Sequence, residues 1–451
     1  MKRLVLSSTL FLLGAPAALA QDPLTQGFQS PPPECRPGVF MDWMGGNVSK
    51  EGLTKDFEAL AREGVGGVLM MQMPDQLARV TQWPFRDYPG KVRCLSDEWF
   101  ATVNHAIGEC DRLGLTFSAL PCPGWSHVGG PWVTPDKGLK TLVGQRTEIQ
   151  GPKRFEGVLP RATAPYEKKP TLPPWASDAE AWQKLRQAYG DHYRDVAVLA
   201  YPAGPTVPAG AVRDLTGQMD DRGRLTWDVP AGTWTIVRLG CATHRGPNYP
   251  AQVDGAGLEC DRMDPAAVRL VLDRYIGRMV REAQAKGYRA FQGFDTDSYE
   301  SGFQDFCDDF PAEFRKRLGY DCKTCLPAWF DRGLVIGDPD LTGRFRRDML
   351  RVISDLWLER FYGEIRRFAD AHGIQWMIEP YFLLTIDWRT VAARAHRPGS
   401  EFWVRDLAAP PDPFAGDLTG PAPDTAALYG HPVVWAEAFT ASPENSAWRN
   451  D

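Results

Sequence analysis

Acidic residues follow three short apolar runs in this 451-residue sequence and open a fourth, and each run has the length of a buried β-strand. Parallel strands of an α/β fold present their carboxyl ends at one edge, so these acids are expected to meet there. Acids that share a cleft repel one another and lose solvent, which keeps at least one protonated while another stays ionised. Cleavage of a glycosidic bond requires that combination. The acids are Asp295, Asp297, Glu300, Glu379, Glu401 and Glu437.

Each acid taken alone also fits a structural role, because acids at strand ends often cap helices or pair with arginine. Their recurrence after several strands favours a shared site instead. Tyr381 and Trp403 follow two of these acids closely and offer rings on which the faces of a sugar can pack. We therefore predict that Asp297, Glu379 and Glu401 bind substrate together with these two rings.

Two glycine-rich segments, 44–47 and 123–132, follow the first and third predicted strands. Neither has the spacing of a phosphate-binding loop, so we predict tight loops at the same edge of the sheet. Asn47, Trp125 and His127 lie in these loops and are candidates for binding sugar hydroxyls. His127 fits equally well a loop histidine that is satisfied by its protein neighbours.

The elements that must position these residues repeat one order along the chain: an amphipathic helix, a glycine and a short apolar strand. This alternation predicts βαβ units and a parallel sheet, so the fold class is α/β with a (β/α)8 TIM-type barrel. Such a barrel needs eight strands, and the sequence ends fifteen residues after Ala436, so we expect a barrel that is incomplete at its C-terminus. The seven predicted strands are 39–44, 65–71, 115–120, 288–294, 374–378, 401–404 and 433–436.

Residues 140–262 lose the helical periodicity and are predicted to form an inserted β-rich, sandwich-like domain. Residues 224–230 and 233–239, joined by Ala231 and Gly232, carry the signal of a β-hairpin, and 196–201 predicts another strand. The predicted division is a signal peptide at 1–20, a catalytic barrel at 21–139 and 263–451, and the insertion between them.

The composition excludes several classes of function. A formal net charge of −6 argues against binding of nucleic acid or anionic membranes, which requires clustered positive charge.

The N-terminus carries the pattern of a signal peptide. Lys2 and Arg3 precede an apolar run that is followed by an A-x-A cleavage signal, Ala18–Ala20. The mature protein is therefore predicted to be periplasmic or secreted. No later apolar run reaches about 18 residues, so no membrane span is expected.

The chain resembles glycoside hydrolase family 106, the α-L-rhamnosidases, at these motifs. The resemblance implies an exported enzyme that removes terminal α-L-rhamnose, with inversion, from plant or bacterial polysaccharides or glycosides. It also implies a calcium ion at the sugar hydroxyls, Glu300 as general acid and Glu437 as general base, with Glu379 and Glu401 as candidates for metal contact. Members of the family are much longer, so the chain is expected to be an N-terminal fragment. The matching segments are 43–52, 122–135, 297–302, 317–321, 379–381, 401–403 and 437–440.

Two other interpretations remain open at this stage. A retaining barrel glycosidase would use Glu437 as nucleophile, with its carboxyl group about 5 to 5.5 Å from that of Glu300, against about 6.5 to 9.5 Å for inversion. Alternatively, a barrel without its last strand cannot close, and the chain is then an inactive carbohydrate-binding fragment.

Overall fold

A curled, seven-stranded parallel sheet forms the centre of the protein, and its strands lie side by side in chain order. The computed structural model describes residues 22–74, 90–162, 192–244, 246–248, 250–380, 386–403 and 421–440. All seven predicted strands are present, with bounds shifted by a few residues. They are β1 (Gly38–Met44), β2 (Gly67–Met73), β3 (Thr116–Ala119), β4 (Phe291–Thr296), β5 (Gln375–Ile378), β6 (Arg397–Trp403) and β7 (Trp435–Thr440).

Capping residues mark the ends of the two helices that follow β1 and β2. Ser49 and Ser96 accept hydrogen bonds from the backbone N–H groups three residues ahead, at 3.1 Å each. Gly114 ends the second of these helices with a left-handed φ of 72°. The helices are α1 (Pro23–Gln29), α2 (Lys50–Arg62), α3 (Asp97–Leu113), α4 (Pro265–Arg274), α5 (Ile276–Ala285), α6 (Phe310–Leu318), α7 (Leu326–Phe330), α8 (Pro339–Leu356), α9 (Gly363–His372), α10 (Trp388–Arg394) and α11 (Pro421–Tyr429), with a π-helical turn at Trp357–Tyr362 between α8 and α9.

The alternation of side chains along β4 decides which of them point away from the helix-covered face of the sheet. The Phe294 ring packs against Phe368 of α9, and Thr296 Oγ1 accepts a hydrogen bond from the buried Trp376 indole. Because successive residues of a strand point to opposite faces, Asp295 and Asp297 lie on the other face of the sheet. The sequence therefore places two carboxylates, two residues apart, on the inner surface.

The inner face of the sheet has two different halves. At β1–β3 it carries an apolar cluster, in which Met71, Met73 and Leu120 are buried against Met44, Leu69 and Trp125. At β6 and β7 the parallel register sets Glu401 beside Glu437. The inner face thus carries a group of acids at one end and mostly apolar groups at the other, where Asp42 of β1 stands beside Met71 in the register.

The inserted segment contains one antiparallel sheet of four strands. The hairpin predicted around Ala231 and Gly232 is wrong. Residues 224–243 form a single strand that pairs with residues 140–158 along its length and with residues 193–202 on its other side. Ala231 and Gly232 lie at a register shift opposite residues 151–153. Gly232, with a φ of 102°, here serves a bulge instead of a turn. The four strands are Lys140–Val158, Tyr193–Pro202, Arg213–Asp214 and Arg224–Thr243.

Two features of the predicted architecture stay predictions. Within the described ranges, the sheet ends at β1 on one side and at β7 on the other, with no eighth strand joining them. In the same ranges, the antiparallel sheet of the insertion has no second large sheet that would make a sandwich. No helix of the described part of the chain is long and apolar enough to cross a membrane.

Candidate active site

Three carboxylates from three strands meet on the inner face of the sheet. One carboxylate oxygen from each of Asp297, Glu379 and Glu437 lies within 4.8 Å of the other two. Asp297 follows β4, Glu379 follows β5 and Glu437 belongs to β7. Asp297 is 8 % exposed, Glu379 is fully buried and Glu437 is half-buried. The structure thus brings together acids from three of the four predicted positions, and the fourth, Glu401, is buried beside Glu437.

Burial and mutual repulsion raise the pKa values of two acids of this cluster, Asp297 and Glu379. Burial raises the pKa of Asp297 to about 7, and the charges of Glu300 and Glu401 act in the same sense. Burial also raises the pKa of Glu379 well above its usual range, with further contributions from Asp297 and Glu437. A hydrogen bond between the two carboxyl groups raises the pKa of Glu379 further and lowers that of Asp297.

Asp295 lies next to this group and is 1 % exposed. Burial raises its pKa well above the ordinary value, followed by the negative charges of Asp297 and Glu437. Asp295 is one of the acids expected at this edge, although the sequence assigns it no catalytic or binding role. Its spacing of two from Asp297 was the signal, because residues i and i+2 of a strand share a face.

Glu300 differs from the cluster in being exposed. Its Oε2 atom accepts a hydrogen bond of 2.7 Å from the indole Nε1 of Trp125, and its Oε1 atom accepts a longer one, 3.3 Å, from Ser298 Oγ. Trp125 belongs to the loop after β3, so two rim loops fix the direction of this carboxyl group. The site therefore combines an exposed acid, Glu300, whose carboxyl group is held by the Trp125 indole, with a group of buried acids.

His127 is fully buried and does not face an open cleft. Its Nε2 atom lies 2.6 Å from the carbonyl oxygen of Asp297 and donates to it, so the ring is the neutral tautomer protonated at Nε2. The ring stacks on Phe361 at 6.0 Å and meets Tyr299 edge-on at 5.0 Å. The interpretation of His127 as a sugar ligand is corrected accordingly, because the side chain is enclosed by protein and holds the backbone of Asp297.

The burial of His127 makes the stability of the fold depend on pH. Burial, and then the charge of Arg262, lower the pKa of His127 to about 3. The unfolded chain binds this proton near pH 6.5, so stability contributed by the neutral ring is lost as the pH falls from about 6.5 toward 3. We expect the stability of His127→Gln relative to the wild type to rise by on the order of 3 kcal/mol between pH 7 and pH 4, measured by urea unfolding.

The control for this experiment is His105→Gln, at a half-buried histidine of α3 that bonds Thr54 and the carbonyl of Lys50. Parallel stability curves for wild type and His127→Gln across this pH range would contradict the prediction.

The remaining candidates are only partly described. Asn47 is exposed in the turn after β1, where its N–H bonds the Met44 carbonyl at 3.2 Å. Tyr381 lies outside the described residues, and for Trp403 only the backbone position in β6 is described. Substrate binding by these three residues stays a prediction.

A comparison with known protein families decides the relationship. The family model described as alpha-L-rhamnosidase matches residues 29–209 and 203–450. The chain belongs to glycoside hydrolase family 106. This family 106 chain is also similar to the structure of a rhamnosidase from Novosphingobium sp. PP1Y, with a TM-score of 0.76 and 22 % identity, covering 94 % of this chain and 53 % of that one. At this identity the likeness shows the fold.

A curated relative carries a different activity in its name. The protein of Formosa agariphila named "Putative beta-glucuronidase" is 28 % identical over 428 residues, which cover 92 % of this chain and 35 % of the relative. The family 106 chain thus spans about a third to a half of the length of the proteins it matches.

Proposed function

We propose that the chain carries the catalytic site of a glycoside hydrolase that removes terminal α-L-rhamnose, with Glu300 as general acid and Glu437 as general base. The observation that carries this proposal is the contrast between the exposed carboxyl group of Glu300 and the buried acid cluster, to which Glu300 is close enough for its charge to act on Asp297. Membership of family 106 supports the class of reaction.

The reaction is a single displacement at the anomeric carbon. Glu300 gives its proton to the glycosidic oxygen as the bond between that oxygen and the anomeric carbon breaks, and Glu437 takes a proton from the attacking water. Trp125 binds one oxygen of Glu300, and the other oxygen, which accepts only the longer hydrogen bond from Ser298 Oγ, is proposed to carry the transferred proton. Inversion requires space for water between the two carboxyl groups, and we propose a separation of about 6.5 to 9.5 Å.

A calcium ion fits the buried cluster. Carboxylate oxygens are its preferred ligands, and the charges that act on Asp295 are all negative. Asp297 and Glu379 are the residues that would hold the ion, with Glu437 within reach and Glu401 next to it. When bound, the ion supplies the positive charge that orients sugar hydroxyls. The protein's own contribution is to hold several carboxylates close together against their repulsion.

Removal of calcium is expected to destabilise the wild type but not Glu379→Gln. A ligand at a hundredfold excess over its Kd stabilises the fold by about 2.7 kcal/mol, and Glu379→Gln should lose most of that gain. In chelator the same variant should be more stable than wild type by about 0.5–2 kcal/mol, because one repelling carboxyl group is gone. Thermal unfolding with calcium and with chelator measures both effects.

Glu364→Gln is the matched control for Glu379→Gln. Glu364 is also buried, but it accepts hydrogen bonds from Arg269 and Arg367. Its replacement should lower stability under both conditions and leave the response to calcium unchanged. An equal response to calcium in wild type and Glu379→Gln would rule out calcium binding by this cluster.

The names of the relatives suggest two activities, one on rhamnosides and one on glucuronides. The family model described as alpha-L-rhamnosidase matches nearly the whole described chain, whereas the relative named for glucuronides is 28 % identical. We therefore propose a neutral deoxysugar as substrate in preference to a uronic acid.

The proposed function is tested with purified protein on an aryl α-L-rhamnoside and an aryl β-D-glucuronide, with NMR detection of the sugar first released. We expect hydrolysis of the rhamnoside alone, with β-L-rhamnose appearing first. Release of α-L-rhamnose first would instead support the retaining mechanism with Glu437 as nucleophile. Binding of rhamnosides without turnover would support the carbohydrate-binding fragment.

The proposal also covers the cellular location of the protein and the complete architecture of its barrel and insertion. We propose export to the periplasm or the medium after removal of residues 1–20, which lie outside the described residues. A (β/α)8-type barrel that is incomplete at its C-terminus and a sandwich-like insertion are proposed on the basis of the predicted repeat and of the likeness to the rhamnosidase structure. N-terminal sequencing of the mature protein tests the first of these.

A further inference from the structure

A buried arginine lies directly behind the loop that carries Glu300. Arg262 is fully buried, and its Nη2 atom lies 2.7 Å from Oε2 of Glu259, which is fully buried as well. Nη1 bonds the carbonyl oxygen of Cys260 at 3.1 Å. None of these residues is among the candidates that the sequence motifs suggested.

The guanidinium of Arg262 contacts both chain neighbours of Glu300. Its Nη2 atom donates to Ser301 Oγ at 3.1 Å. Its central carbon lies 5.0 Å from the centre of the Tyr299 ring, with the rings of Trp357 and Phe361 at 5.6 and 5.1 Å. The residues before and after Glu300 are thus held by one side chain.

The same segment also holds the loop that carries Trp125. Glu259 pairs with Gly129 in a short antiparallel ladder, and the N–H of Cys260 bonds the carbonyl of Val128 at 3.0 Å. Trp125 in turn donates to Glu300. Arg262 and its neighbours therefore link the two loops whose contact fixes the direction of the Glu300 carboxyl group.

The ion pair is poorly explained by stability alone. Buried ion pairs can often be replaced by apolar residues at no loss of stability, because desolvation offsets the attraction. Here Arg262 Nε and Glu259 Oε1 have no hydrogen-bond partner within the described part of the chain, which adds to that cost. A pair of this kind is consistent with a requirement for one specific geometry.

Arg262 also connects the inserted sheet to the site. Its backbone N–H bonds Gln304 Oε1 at 2.9 Å, and Gln304 Nε2 donates to Asp261 Oδ1 at 2.6 Å. Asp261 pairs at 2.6 Å with Lys140, the first residue of the insertion's long strand, and both side chains are buried. The insertion is thereby fastened to the end of the 297–304 loop.

We propose that Arg262 is a positioning residue whose guanidinium fixes Glu300 in the orientation needed for proton transfer. The proposal rests on Glu300 being the general acid. A misplaced acid impairs the departure of poor leaving groups and has little effect on good ones, because only the former need protonation.

The test compares Arg262→Lys with wild type on a methyl and on a 2,4-dinitrophenyl α-L-rhamnoside. Lysine keeps the charge beside Glu259 but loses the planar fork that reaches Ser301. We expect kcat to fall about tenfold or more on the methyl glycoside and less than about twofold on the dinitrophenyl one, with KM changed less than about twofold. Ser301→Ala leaves the ion pair intact and should show the same selectivity at about threefold.

The matched control is Arg238→Lys. Arg238 is 3 % exposed and pairs with Asp195 at 2.7 Å within the inserted sheet, away from the Glu300 loop. It should leave the ratio of the two rates unchanged. Equal leaving-group dependence in wild type, Arg262→Lys and Ser301→Ala would overturn the proposal.

Hydrogen exchange separates this proposal from the proposed function. The peptide 297–304 should exchange faster in Arg262→Lys by about tenfold and should be unchanged in Arg238→Lys. If wild type hydrolyses neither rhamnoside, the proposed function fails and the exchange comparison alone decides the positioning role. Wild-type exchange in Arg262→Lys would then refute it.

Discussion

Glu300→Gln is expected to lower the turnover of alkyl α-L-rhamnosides by about 10²–10⁴-fold, the factor that general acid catalysis contributes. Glutamine has nearly the same shape and still accepts the hydrogen bond from the Trp125 indole, but it has no acidic proton to transfer. A dinitrophenolate leaves without protonation, so turnover of the dinitrophenyl glycoside should fall less than about tenfold. Steady-state rates on both substrates provide the measurement.

Glu98→Gln makes the same chemical change at an exposed position in the first turn of α3 and serves as control. It should be indistinguishable from wild type on both substrates. A Glu300→Gln enzyme that keeps wild-type turnover of the alkyl glycoside would remove Glu300 from the mechanism. A loss of equal size on both substrates would show that Glu300 acts in another capacity.

Glu437→Gln is expected to reduce turnover by about 10²–10⁴-fold on alkyl and dinitrophenyl rhamnosides alike. The physical reason is that water must attack the anomeric carbon whatever group departs, and an amide cannot accept the proton of that water. Glu437 also lies within 4.8 Å of Asp297 and Glu379, so the variant should bind calcium more weakly. The rates are therefore to be measured with calcium in excess.

The two variants distinguish the roles of the two glutamates through their dependence on the leaving group. A strong dependence in Glu300→Gln together with its absence in Glu437→Gln identifies acid and base. Glu437→Gln with more than about a tenth of wild-type turnover at saturating calcium is incompatible with a general base at this position. Thermal unfolding of each variant, with calcium and with chelator, provides the check that the fold is intact.

The strands and the meeting of the acids were predictable because both depend on local patterns. A glycine after an amphipathic helix and a short apolar run locate each strand of the parallel sheet, and alternation along the strand then sets the face. Glu379 stands at the carboxyl end of its strand, whereas Glu437 lies inside β7 and reaches the same place because its side chain points to the inner face. The capping residues Ser49 and Ser96 likewise act within one turn of their own helices.

The misassigned parts depend on partners that are distant in the sequence. Ala231 and Gly232 fit a tight turn and a bulge equally well, and only the long facing strand Lys140–Val158 makes them a bulge. The burial of His127 is decided by Phe361, more than two hundred residues away in the sequence, which stacks on its ring. Arg262 carries no motif, since its role comes from contacts with the loop that begins at Asp297.

The position of β7 at the edge of the described sheet determines whether the acid cluster is assembled. Among the described strands it pairs with β6 alone, and it brings Glu437 against Asp297 and Glu379. A strand at the edge of a sheet is held by backbone hydrogen bonds to one neighbour, and repulsion between like charges favours its separation from that neighbour. A cation that neutralises the acids removes this repulsion and stabilises the pairing of β7 with β6. Assembly of the reactive groups and pairing of this edge strand are therefore one equilibrium.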